Sequence, residues 1–227
     1  MKNSIKNLKI HGQGISTGGK YNTISIMGEG KINGHVDCVN LKIYGEGEID
    51  GDLKATSTVN IKGHTAFRGN LEAKNVKIQG EVEVNGELIA DEAVISGNIS
   101  INGDCNAEIF TLEGGLTIDG LLNADVLKIN LYWPSNVHEI GGTEITVKKE
   151  AKLSFLGLKD IIMPSGANKK LTADIIEGDN INLENTQAKV VRGNNITIGS
   201  GCKIELVEYK DSFKNEEGAE IITYRKM

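Results

Sequence analysis

Apolar and polar residues alternate over residues 1–131 in short runs that glycine interrupts. In most runs two aliphatic residues stand two positions apart and a glycine follows, as in Leu41-Ile43-Gly45. Eight runs recur at a period of roughly 17 residues, and only the last lacks the glycine. They begin at Leu8, Ile24, Leu41, Val59, Val76, Ala93, Phe110 and Leu127. Alternation with a period of two predicts short β-strands that each bury one face.

A second element keeps step with the first, and its six copies run from Ile32-Gly34-Val36-Cys38 to Ile118-Gly120-Leu122-Ala124. A unit of about 17 residues cannot bury a core alone, whereas stacked units bury a continuous one. The pattern therefore predicts an all-β parallel β-helix (a solenoid) of seven to eight rungs over residues 1–131. We expect Cys38, in the small slot at a tight corner, and Cys105, in a leucine slot, to be core residues rather than reactive thiols.

Residues 132–227 follow a different pattern, which YWPSN at 132–136 introduces. Copies of a second motif at Ile176 and Val191 repeat after about 15 residues, which predicts a β-rich extension of shorter coils. An insertion at 148–170 carries a net charge of +4, against −10 for the remainder of the chain. It is either a hairpin or short helix covering the solenoid, or a contact with a membrane surface or a partner. The candidate contact residues are Phe155, Leu156, Leu158, Ile161, Ile162 and Met163.

The net charge of −6 argues against general binding to nucleic acid, which requires a basic surface. Three cysteines lie far apart, so neither a disulfide framework nor a metal-ligand spacing is present. The N-terminal residues contain no apolar run of the signal-peptide type. We therefore expect a cytoplasmic protein.

The stretch GISTGGKY at residues 14–21 resembles a phosphate-binding loop and departs from that pattern only at Tyr21. Such a loop needs a helix after it, whereas the strand-like TISI follows here. Repeat alignment makes Gly14 equivalent to Gly30 and Ile15 equivalent to the inward Ile32. We interpret these glycines as structural features of an irregular first rung and expect no bound nucleotide.

The rungs IMGEGKINGHVDC, IYGEGEIDGDLKA, IQGEVEVNGELIA and LEGGLTIDGLLNA resemble those of the bactofilins, which are polymer-forming bacterial cytoskeletal proteins. The resemblance covers about residues 8–131. It implies a right-handed β-helix, assembly into filaments without nucleotide, and a role in cell shape, polarity or motility. It also implies a cytoplasmic location, often at the inner face of the membrane. The chain departs from the family in having two prolines, a poor N-terminal membrane-targeting peptide and a long C-terminal extension over residues 132–227.

The ends of a solenoid expose unpaired backbone groups, and few residues are available here to cap the N-terminal end. We therefore expect a homo-oligomer or filament that assembles through its terminal rungs. The predicted contact residues at the N-terminal end are Leu8, Ile10, Ile15, Ile24 and Ile26. Those at the C-terminal end of the first solenoid are Leu127, Ile129, Leu131 and Trp133.

Two other classes of function remain as alternatives. One is a capped, non-filamentous solenoid that serves as an adaptor in a membrane or flagellar assembly, where the partner is a membrane-associated protein. The other is an enzyme, because β-solenoids include sugar-acting lyases and acyltransferases. The histidines do not share a rung position, and the acids occupy outward positions where solvation explains them. We therefore expect no catalytic, cofactor or metal site.

Overall fold

The computed structural model describes residues 6–149 and 169–227, and these residues form strands and turns without a helix. All strand pairs are parallel, and the coils have about 17 residues each, so the fold is an all-β parallel solenoid. The chain divides into two compact units, with the boundary between residues 107 and 108. This boundary differs from residue 131, where the repeat changes, and the domain organisation stays a prediction.

The first unit consists of strands that pair in chain order. They are β1 (Leu8–Asp50), β2 (Leu53–Phe67), β3 (Leu71–Val84) and β4 (Leu88–Ile101). Equivalent apolar residues stack along this order, as in the column Ile43, Ile61, Ile78 and Ile95. Ile43, Ile61 and Ile78 are each at most 1% exposed, because the next coil of this unit covers them. A fully buried aliphatic side chain of this size stabilises the fold by about 1.5–3 kcal/mol.

The small slot of the repeat is a stacked column, as the sequence predicts. Cys38 pairs with Ala55, and the column continues through Ala73 and Ala90. A register shift follows this column in β1 and β2, between Cys38 and Asn40 and between Ala55 and Thr58. It accommodates the extra residue in the longest interval of the repeat, which runs from Leu41 to Val59.

The second unit contains six strands, of which β5 begins just before the boundary between units. They are β5 (Cys105–Leu131), β6 (Ser135–Lys149), β7 (Leu171–Leu183), β8 (Thr186–Ile198), β9 (Lys203–Asn215) and β10 (Glu220–Lys226). β6 to β10 follow β5 in chain order, each parallel to its predecessor. The second repeat is in register as its motif predicts, because Ile140 pairs with Ile176 and Ile176 with Val191.

Candidate self-assembly surfaces

The N-terminal edge of the first unit is the first coil of β1. Among the described strands, β1 has one other strand as its sheet neighbour, which is β2. Leu8 is partly exposed and Ile10 is 7% exposed in this coil. Ile24 and Ile26 lie in the next coil and are fully buried. Of these four predicted residues, Leu8 and Ile10 are therefore the two that lie at the edge.

Ile15 points outward, and its alignment with the inward Ile32 is wrong. An added Cβ at Gly14 would lie 2.9 Å from Cγ2 of Ile10, so Gly14 faces the core. Successive side chains of a strand point to opposite sides, which turns Ile15 away from the core. Its side chain is 74% exposed, whereas Ile32 is fully buried. The first interval of the repeat causes this difference, because it is shorter by one position than most of the later intervals.

The glycines of GISTGGKY lie within β1. A Cβ added to Gly18 would lie 2.2 Å from the carbonyl oxygen of His35, so this glycine permits close approach of the next coil. Lys20 extends outward and lies 3.6 Å from the carboxylate of Asp37. These positions agree with a structural role for the glycines.

The four predicted C-terminal contact residues lie beside the junction of β5 and β6. Leu127 pairs with Ile145, Ile129 with Val147, and Leu131 with Lys149. All three residues of β5 are fully buried, and Trp133 is partly exposed in the turn that follows. These residues do not form a strand edge in this unit, because the shorter repeat stacks on β5. Their part in assembly stays a prediction.

The C-terminal edge of the second unit is formed by β10 and the last part of β9. β10 pairs with β9 from Lys203 to Tyr209 and, among the described residues, leaves the end of β9 without a strand above it. Three aromatic rings gather at this step. The ring centroids of Tyr209 and Phe213 are 5.5 Å apart, and those of Phe213 and Tyr224 are 5.2 Å apart. Ile222, two positions before Tyr224 in β10, is 72% exposed. The repeat pattern does not reveal this cluster, because aromatic residues replace those of the motif: Tyr209 pairs with Gly193, and Phe213 pairs with Ile196.

A buried carboxylate links β10 to the coils beneath it. Glu208 of β9 is 3% exposed and accepts hydrogen bonds from Arg192 of β8 at 2.7 Å and from Nε of Arg225 of β10 at 2.8 Å. Arg192 also contacts Glu177 of β7, so the ladder crosses four strands. The hydrogen bond from Arg192, followed by that from Arg225, lowers the pKa of Glu208 below its ordinary value. The ladder therefore holds β10 in place while Glu208 is ionised.

The candidate membrane or partner contacts between residues 155 and 163 lie outside the described residues. Within the described part of the chain, no helix is long and apolar enough to cross a membrane.

The histidines of the described chain lie apart on the surface. His35 contacts Asp52 at 3.1 Å, and His64 contacts Glu81 at 3.6 Å. His138 lies 3.5 Å from Asp174 in the second unit. The described residues contain no group of three or more histidine, cysteine or acidic side chains that could hold a metal ion.

The three cysteines are free and buried. Burial raises the pKa of the Cys38 and Cys105 thiols to about 12. Burial likewise raises the pKa of Cys202 to about 11. The prediction that Cys38 and Cys105 are core residues is confirmed, because they are 3% and 0% exposed.

The repeat, the solenoid and the cytoskeletal resemblance agree with a comparison against known families. The family model described as "Bactofilin: Polymer-forming cytoskeletal" matches residues 2–88 and 46–123. These overlapping matches span more than half of the chain. The chain belongs to the bactofilin family. This is a structural, cytoskeletal family rather than an enzymatic one, which supports a structural cytoskeletal role for this bactofilin.

Two relatives from Bacillus subtilis (strain 168) resemble this bactofilin over nearly their whole length. The uncharacterized protein YhbF is 50% identical over 224 residues, which cover 91% of this chain and 91% of YhbF. The uncharacterized protein YhbE is 47% identical over 242 residues, which cover 98% of this chain and 99% of YhbE. No solved structure matches the chain.

Proposed function

We propose that this bactofilin is a non-enzymatic scaffold that assembles end to end through its outermost coils, without nucleotide. One observation carries the proposal: β1 and β10 each have one other described strand as a sheet neighbour. Their outer edges therefore present backbone N–H and C=O groups that another chain can pair with. The family, described as polymer-forming, supports self-association.

The chemistry of the two edges supports contact with further copies. Leu8 and Ile10 place apolar side chains at the N-terminal edge, and the aromatic cluster with Ile222 does so at the C-terminal edge. Pairing would bury this apolar surface and satisfy the edge backbone together. The edges are permanent parts of the fold, so assembly of this kind requires no bound nucleotide. The proposed C-terminal contact is at β10 rather than at Leu127, Ile129 and Leu131, which β6 covers.

Negative-stain electron microscopy of the full chain without nucleotide tests this proposal. We expect filaments from the unmodified protein and much shorter particles from Leu8→Asp and from Ile222→Asp, because a charge at either edge opposes its burial. Ile89→Asp is the matched control, because Ile89 is 44% exposed in β4, away from the first coil. Its filaments should be as long as those of the unmodified protein.

Discrete particles of one small size from the unmodified protein would contradict end-to-end assembly. They would favour the capped adaptor for a membrane or flagellar assembly. A truncation after Trp133 is unsuitable for this test, because it would remove β6 and uncover the apolar side chains of β5.

We further propose that the scaffold acts in the cytoplasm, at the inner face of the cell membrane, in cell shape, polarity or motility. The free cysteines are compatible with a reducing compartment. Fractionation of cells that contain the tagged protein tests the location. Recovery in the cytoplasmic and membrane fractions is expected, and recovery from the culture medium would contradict it.

A further inference from the structure

A ridge of exposed side chains runs along one side of the first unit. It consists of Met27, Tyr44 and Lys62, one from each of three successive coils. Tyr44 pairs with Lys62, whose Nζ lies 5.9 Å from the centre of the tyrosine ring. Met27 precedes Gly28 as Tyr44 precedes Gly45, and these two glycines stack on each other. Met27 and Tyr44 are 48% and 38% exposed, which is unusual for large apolar side chains in this unit.

The face that carries the ridge is basic, although the protein as a whole is acidic. Around the ridge, the segments 22–28, 39–45, 57–63 and 74–80 form this face and contain no aspartate or glutamate, and Asp91 and Glu92 follow in the next segment of the face. Lys42 and Lys77 lie on it beside Lys62. Among the described residues, none of these three lysines has a carboxylate partner, whereas Lys20 and Lys31 on other faces do. The face therefore offers positive charge that the chain itself leaves uncompensated.

A groove of about 440 Å³ lies directly across the glycine corner from the ridge. Its floor is the backbone of Gly14, Gly30 and Gly47. The core side chain of Ile43 fills the space behind Gly47, where an added Cβ would lie 2.7 Å from Cδ1. In the next coil the position equivalent to Gly47 is Thr65, whose side chain is fully buried. The row of glycines on the floor of the groove therefore ends at Gly47.

On the side nearest the ridge, the wall of the groove carries two carboxylates and the imidazole of His64, which contacts Glu81 at 3.6 Å. Glu29 and Glu46 lie on this wall, and Ile15 lies on the opposite wall. Glu46 has no cationic partner among the described residues. Glu48, on the far wall, is already paired with Lys31 at 3.0 Å. The near wall is therefore the part of the groove that would attract an additional cation.

Ridge and groove flank the same corner, as the order Tyr44-Gly45-Glu46-Gly47 shows. A two-fold axis parallel to the stacking direction would bring the ridge of each copy against the groove of the other. Equivalent coils would then lie at the same level, and both surfaces repeat once per coil. Such an interface is isologous and closes after two copies.

We propose that two copies of this chain associate side by side, in parallel and in register, with the Met27-Tyr44-Lys62 ridge of each copy in the glycine-floored groove of the other. In this register Lys62 lies one coil beyond the level of Glu46 of the second copy, and Met27 lies one coil beyond that of Ile15. Each offset is about 4.8 Å along the stacking direction, which the long side chains of Lys62 and Met27 span, so that Lys62 contacts Glu46 and Met27 covers Ile15. Complementary charges set the register, and the apolar contacts exclude water around them. This lateral contact is separate from the end-to-end contacts and uses different residues.

Crosslinking between two singly substituted full-length chains tests the contact directly. Ile15→Cys with one tag is mixed with Met27→Cys with another, and a short bis-maleimide is added. We expect tag-mixed dimers to form at least tenfold faster than in the control mixture of Ile15→Cys with Ile89→Cys. The native cysteines are buried and should give little background. Equal rates in both mixtures would overturn the proposal.

Charge exchange supplies a second test that does not depend on crosslinking. Lys62→Glu and Glu46→Lys should each weaken side-by-side association about tenfold in analytical ultracentrifugation, and the double variant should recover to within about threefold of the unmodified protein. Thermal unfolding shows whether each variant is folded. A double variant no better than the single variants would overturn the proposal.

The basic face could instead contact an anionic surface, and the same variants distinguish this case. Sedimentation with vesicles of phosphatidylglycerol and phosphatidylcholine is measured for the unmodified protein and for Lys62→Glu. If Lys62→Glu loses vesicle binding and the Ile15–Met27 crosslink forms no faster than the control, the ridge serves a lipid surface and the proposal is wrong. Unchanged vesicle binding together with a rapid crosslink supports it.

Discussion

At the scale of single residues, glycine stacks on glycine along one corner of the first unit. A Cβ added to Gly63 would lie 2.1 Å from the carbonyl oxygen of Gly45, and one added to Gly80 would lie 2.1 Å from that of Gly63. The regular spacing of these glycines in the sequence predicts that they share one corner of the coil. The structure adds the reason, which is that the coils approach too closely there for any side chain.

Replacing each of two glycines by alanine should separate the cost of the close contact between coils from the cost of backbone strain. Gly63 has a φ of +133° and the close contact with Gly45, whereas Gly34 has a φ of +98° and no neighbour within 4 Å of an added Cβ. Gly34→Ala should cost about 1–3 kcal/mol from backbone strain. Gly63→Ala should cost more, because the coils must also move apart. Chemical denaturation measures both, and an equal loss in the two variants would contradict the steric explanation.

At the scale of elements, the strand register follows the repeat, whereas the attachment of β10 depends on side chains at a variable position of the repeat. Arg192, Glu208 and Arg225 come from three different strands and meet through the coil stacking. The spacing of 16 between Arg192 and Glu208 resembles that of the coils, yet nothing in the sequence distinguishes this pair from other outward charges. The ladder could be found only once the strands were paired.

The attachment of β10 should weaken in acid. Because the folded pKa of Glu208 lies below the ordinary 4.5, ionisation stabilises the fold above that value, and the contribution is lost as the pH falls through the folded pKa. Glu208→Gln should imitate the acid state at neutral pH and lower the amide-exchange protection of residues 220–226 by roughly tenfold.

The matched control is Glu220→Gln, because Glu220 is 76% exposed and lies 3.8 Å from Lys203. It should leave the protection of β10 nearly unchanged. Hydrogen exchange with mass spectrometry, corrected for the intrinsic effect of pH, measures both variants. Full protection of β10 in Glu208→Gln would show that the aromatic cluster alone holds the strand.

At the scale of the whole molecule, each coil is stabilised chiefly by the coils next to it. An interior coil has two such neighbours, and the first coil of β1 has one among the described residues. Core residues of the same type should therefore contribute differently to the free energy of unfolding, according to the coil in which they lie. This is a property of stacking, which the sequence of one coil does not reveal.

Ile61 and Ile10 provide a comparison of these positions. Ile61 lies between Ile43 and Ile78 and is fully buried, whereas Ile10 lies in the first coil and is 7% exposed. Ile61→Ala should cost about 2–5 kcal/mol of unfolding free energy. Ile10→Ala should cost distinctly less in dilute solution. Denaturant unfolding at low protein concentration tests this, and equal losses would mean that another copy already covers the first coil.

The sequence alone determined the period of the coils, the stacked apolar columns and the burial of Cys38, because alternation and glycine spacing are local properties of the chain. It misplaced Ile15, since the shortened first interval of the repeat reverses the direction of the side chain. Tertiary structure decided that β6 covers Leu127, and it brought Tyr209, Phe213 and Tyr224 together. It also placed the ridge and the groove on either side of one corner. These features depend on which strands pair with each other, and strand pairing joins residues that are distant in the chain.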